Sequence, residues 1–208
     1  MPEKELRTYW EEVMEKMGVS KALHLPHFHT LTRLYGHSRR AYHNLNHLAE
    51  LFALWRRDYH KLQKPEELAL AIFYHDAIYK PWSSKNEEAS ADLAARQLRQ
   101  GGIKRESIEM IYSYILCTRD HRPTLEDEDL IWLLDADLSI LGSSKESYQE
   151  YARQIRQEFR LYPDFLYRPG RKKVLMGLLE RKNIYRSPHF YEDLEERARQ
   201  NIKWELDR

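Results

Sequence analysis

The stretch "ELALAIFYHDAIY", Glu67 to Tyr79, follows Pro65 and is apolar nearly all round. Proline suits the first turn of a helix, and a helix with no polar face belongs at the centre of a packed domain. The pattern predicts a buried helix from just after Pro65 to Tyr79. Inside it stand His75 and Asp76. An ionised Asp in such a setting is costly unless it is paired or bound to a cation.

The flanking segments also read as helices. The chain has only 7 glycines, and no Val/Ile/Thr-rich alternation marks a strand. Helices are expected over Lys4–Met17, stopping at Gly18, in one or two pieces over 20–41, and from about Tyr42 to Leu62. Ser84 and Glu87 have the spacing of a capping box, opening a helix that ends at Gly101 and Gly102. Further helices are expected over Arg105–Cys117, over "EDEDLIWLLDADLSILG" to Gly142, over Ser144–Tyr162, over Arg171–Lys182, and from Ser187-Pro188 to about Leu206. The expectation is an all-α, single-domain bundle over 1–208. Its metal-site core would span about 42–142, with C-terminal helices at 144–207 packed on it.

Composition narrows the class. The chain has 208 residues, 34 basic and 33 acidic, for a net charge of +1. That balance argues against stable nucleic-acid binding, which calls for a basic excess. The longest apolar runs fall short of the roughly 18 residues of a membrane span. A single cysteine, Cys117, allows no internal disulfide, and no signal peptide opens the sequence. These features fit a cytoplasmic protein, with a homo-oligomer left open.

The 10 histidines direct attention to their positions. "YHNLNH", Tyr42 to His47, places His43 and His47 at i, i+4, one face of the expected helix. The residue after His43 is Asn44, not the Glu of a zinc-protease helix. "IWLLDADLSIL" adds Asp135 and Asp137 in another apolar run. Mixed His and carboxylate ligands suit a divalent ion such as Mn, Fe, Mg, Zn or Co. Periodicity does not choose between the two acids.

The order His … His-Asp … Asp resembles the HD superfamily of metal-dependent phosphohydrolases. "YHNLNH" is similar to the YHNxxH motif of class I cyclic-nucleotide phosphodiesterases, a branch of the same fold. The pieces "YHNLNHLAEL", "FYHDAIY", "NEEASA", "LDADLSILG", "YARQIRQEF", "GRKKVL" and "ERARQNI" look closest to a family of bacterial predicted HD phosphohydrolases. The chain is shorter than a phosphodiesterase catalytic domain and has no recognisable purine-clamping glutamine region.

The resemblance implies His47, His75, Asp76 and Asp137 as metal ligands, with Asp137 favoured over Asp135 by its "Ala-Asp-x-Leu" context. It implies His43 as proton donor to the leaving oxygen, and Asp76 or Asp137 as acceptor of the water's proton. His121 would bind a second metal or the phosphate. A small phosphorylated substrate, plausibly a nucleotide, needs a basic partner, for which Lys80, Lys85, Arg119, Arg156 and Arg171 are candidates. Glu87 reads as a cap or as an acid near the metal. The competing expectations are a di-iron oxygenase of the same fold and a non-catalytic metal- and nucleotide-binding module.

Overall fold

The computed structural model describes residues 2–123 and 126–208. Among them are ten α-helices and no strand, so the fold is all-α. In order these are α1 (Pro2–Lys16), α2 (Lys21–Tyr35), α3 (Leu45–Asp58), α4 (Pro65–Tyr74), α5 (Asn86–Gln100), α6 (Arg105–Cys117), α7 (Glu128–Asp137), α8 (Lys145–Glu158), α9 (Asp164–Leu179) and α10 (Pro188–Leu206). Short 3-10 turns follow α3 and α7, at Tyr59–Lys61 and Ser139–Gly142. Contacts group the chain into two units, 1–134 and 135–208, with the boundary inside α7.

In the first unit α4 is the central element. Every residue from Leu68 to Tyr74 is buried, and burial of each large side chain contributes about 1.5–3 kcal/mol. α4 packs on α3 and α6, and α1 packs on α2, α3 and α4. Trp10 of α1 meets Phe73 edge-on at 5.0 Å, and Trp55 of α3 donates to the Pro65 carbonyl at 2.9 Å. α2 is one continuous helix despite Pro26. Gly18, at φ 75°, ends α1 as expected.

Two of the helix ends that differ from the sequence reading lie at candidate ligands. α3 begins at Leu45, because Asn44 has extended backbone and caps it. Asn44 Oδ1 accepts the Asn46 N–H at 2.7 Å, and its Nδ2 donates to the Ala41 carbonyl at 2.8 Å. His43 therefore precedes the helix, and the shared-face argument for His43 and His47 does not hold. α4 stops at Tyr74, leaving His75 as its C-cap. Arg40 then takes the carbonyls of Asp76 and Ala77, both at 2.7 Å. The polar pair thus sits where the helix turns off, not inside it.

The expected capping box at Ser84 and Glu87 is also absent. The N-cap of α5 is Lys85, with no side-chain cap bond, and Ser83 Oγ accepts the Lys85 N–H at 3.1 Å.

In the second unit, α10 packs on the 3-10 turn at Ser139–Gly142 and on α8 and α9. A Cβ on Gly142 would lie 2.5 Å from Leu194 Cβ, so only glycine allows this approach. Asn201 and Arg197 of α10 donate to the carbonyls of Leu141 and Gly142, at 2.9 and 2.8 Å. α9 begins seven residues before the expected Arg171, running through Pro169 and Gly170. Those two residues read as a breaker, yet the helix continues through them, with Pro169 lacking the N–H that would bond the carbonyl of Phe165.

Candidate metal centre

His75 is 1% exposed. Its Nδ1 lies 2.8 Å from the Ile72 carbonyl. A carbonyl only accepts, so Nδ1 carries the hydrogen, and a neutral ring then presents the Nε2 lone pair. Nε2 lies 3.3 Å from Asp76 Oδ2. Two donors about 2.1 Å from one ion would show about that separation. Neighbours on a helix point about 100° apart, yet at the end of α4 these two side chains bring their donor atoms together.

The backbone at Asp76 is fixed from two sides. Its N–H donates to the hydroxyl of buried Tyr35 at 3.2 Å, while Arg40 holds its carbonyl. Arg40 also donates to the His43 carbonyl at 3.1 Å and lies over the Tyr35 ring at 4.9 Å. One guanidinium therefore ties the chain before α3 to the end of α4. His43 lies against Tyr79, ring centroids 4.3 Å apart, with its Nε2 4.0 Å from Asp76 Oδ2. His47, on the first turn of α3, is 3% exposed and meets the His75 ring at 5.5 Å.

Asp135 and Asp137 have different roles. Asp135 is 2% exposed, and its carboxylate accepts the N–H groups of Arg186 and Ser187 at 3.0 and 2.6 Å. It also accepts the Ser187 hydroxyl at 2.5 Å. Burial pushes its pKa up, opposed by the bonds from Ser187 and Arg186. Asp135 is a structural anchor. Asp137, the last residue of α7, joins His47 and His75: one donor atom from each lies within 4.8 Å of the others. Two imidazoles and a carboxylate form a fitting donor set for a borderline divalent ion. Asp76 stands outside this trio but beside His75.

No protein-family model, curated protein or solved structure matches the chain.

The remaining candidates fall elsewhere. Glu87 lies 3.5 Å from Arg119, which also pairs with Glu88 at 2.8 Å. Lys80 and Lys85 have exposed side chains. His121 follows α6 with φ 51°, its N–H on the Cys117 carbonyl at 3.1 Å, and is not in the donor trio. Arg156 and Arg171 belong to α8 and α9 and line a common groove. His24 is a core residue, accepting from Trp10 Nε1 at 3.2 Å, and Cys117 is buried.

Arg40 and Tyr35 were not singled out by the sequence reading, and Asn86 and Ser90 received no role there. Asn86 bonds both backbone groups of Lys80, at 3.0 and 2.9 Å. Ser90 Oγ accepts the Ile78 N–H at 3.0 Å. Together they hold the segment after Asp76. An available signal was that two small polar residues stand on the apolar side of α5, as the motif "NEEASA" displays.

Proposed function

We propose that the protein is a metal-dependent phosphohydrolase of a small phosphorylated compound, a nucleotide being the leading class. The observation that carries this reading is the trio of buried His47 and His75 with half-buried Asp137, whose donor atoms lie within 4.8 Å of one another. Asp76 Oδ2, 3.3 Å from His75 Nε2, adds a fourth donor. The order of these residues along the chain, which resembles that of HD phosphohydrolases, points the same way.

His47, His75, Asp137 and Asp76 would hold the ion. A divalent ion there supplies Lewis acidity and makes water a nucleophile near neutral pH. The chain's own residues supply the rest. The Asp76 carboxylate takes the proton of the attacking water. His43, outside α3 and lying against the Tyr79 ring, delivers a proton to the leaving oxygen. Arg40 positions both by holding the carbonyls of His43 and Asp76.

The test is metal analysis followed by a panel of nucleotides and generic phosphoesters. We expect divalent-ion-dependent hydrolysis, abolished in His47→Ala together with bound metal. His43→Ala should retain metal and lose about 10²–10⁴-fold in kcat. That loss should shrink for 4-nitrophenyl esters, whose leaving group departs without a proton. A metal-loaded protein that hydrolyses nothing on the panel refutes the proposal.

A further inference from the structure

The second unit carries a groove of about 600 Å³ formed by α8, α9 and α10. Its charge is one-sided. Arg153, Arg156, Arg168, Arg171, Lys172 and Arg208 line it, against the carboxylates of Asp164 and Glu205. Glu150 pairs with Arg153 at 2.5 Å from outside the lining. The groove stays positive after every such pairing, in a chain whose net charge is only +1.

Two of the cations are held in place. Arg171, with its side chain 13% exposed, bonds both oxygens of Glu205, at 2.8 and 3.1 Å, and donates to the Tyr151 hydroxyl at 3.2 Å. Tyr148 fixes the same carboxylate from the other side at 2.6 Å. Arg156 donates to Asp164 at 2.7 Å and to the carbonyls of Phe159 and Tyr162, and lies over the Tyr167 ring at 4.8 Å. Arg168 and Lys172 stand one turn apart on α9 with exposed side chains. Arg156 and Arg171 commit their paired donors to these partners and add positive charge, while exposed Arg168 and Lys172 are the cations that meet phosphate oxygens, and a groove of this size suits a small organic ligand. One phosphate would leave part of the positive charge unmatched, whereas a chain of two or three would span it.

We infer that this groove is a binding site for a small polyphosphate anion, either inorganic or the phosphate chain of a nucleotide. None of His43, His47, His75, Asp76 or Asp137 lines it, so the site is independent of the proposed hydrolytic centre. Half-buried Trp204 stands in its wall, with the Arg208 guanidinium 4.7 Å over its ring.

The test is calorimetric titration with inorganic triphosphate and with adenosine triphosphate, in low salt without added metal. Both anions should bind, and the double variant Arg168→Ala/Lys172→Ala should bind about tenfold more weakly or worse. Its melting curve checks that these exposed substitutions leave the fold intact. His47→Ala should bind as the parent does. Equal affinity for both anions assigns the site to the phosphate chain, and tighter binding of the nucleotide assigns it to nucleotides. Absence of binding, parental affinity in the double variant, binding of the nucleotide alone, or loss of binding in His47→Ala each overturns the inference.

Discussion

Asp135 and Asp137 stand about 200° apart around α7, and that rotation separates an anchor from a candidate metal donor. Asp135 takes the Arg186 and Ser187 N–H groups and the Ser187 hydroxyl; Asp137 joins the histidines. Asp135→Asn should retain bound metal and lose about 2–3 kcal/mol of stability, the cost of weakening charge-assisted bonds in a buried site. Asp137→Asn should lose metal. Metal content and urea unfolding of both variants check this, and metal loss in the Asp135 variant alone would reverse the assignment. Periodicity could not make the choice, because each Asp has apolar neighbours at helical spacing. The partner that explains Asp135 lies some fifty residues later in the chain. Only the resemblance in "DADLSILG" favoured Asp137.

At the scale of the elements, the interiors of helices were legible and their ends only in part. α6 matches its expected bounds, while α3 starts late and α4 stops early. Apolar spacing reports on burial along a helix. It does not report a remote donor that satisfies carbonyls past the end, which is what Arg40 does. Arg40→Ala leaves three carbonyls short of a donor. It should cost about 2–3 kcal/mol and reduce hydrolysis more than metal content, with Arg40→Lys a poor rescue because an ammonium lacks the fork. Unfolding curves beside metal analysis and activity test this; normal activity in Arg40→Ala would remove its positioning role.

The end of α3 supplies a pH test. Asp58 is 0% exposed; burial raises its pKa, but bonds from Arg57, Lys61 and Trp132 outweigh burial and hold it well below the usual carboxylate range. The folded protein thus binds this proton more weakly than the unfolded chain. The stabilisation is complete above the unfolded value near pH 4 and is lost as pH falls through the folded value. Asp58→Asn should cost about 2 kcal/mol at pH 7, and the gap to the parent should narrow steadily below about pH 4. A gap that stays constant to pH 2 would assign the loss to packing instead.

For the molecule as a whole, the sequence made the all-α class plain through helical periodicity and scarce glycine. It held the histidines and aspartates in order but not in space. His47 enters from the first turn of α3, His75 from the cap of α4 and Asp137 from the end of α7. The unfolded chain keeps these donors far apart in sequence, so an ion bound by the group stabilises the folded form. At free metal about 100-fold above its Kd this is worth about 2.7 kcal/mol, roughly 5–10 °C in Tm for a chain of this length. Calorimetric scans with increasing Mn²⁺ should show that rise in the parent, its reversal by a chelator, and none of it in His47→Ala. An equal rise in His47→Ala would mean that the ion binds elsewhere, and the metal centre would have to be abandoned even if the histidines pack as described.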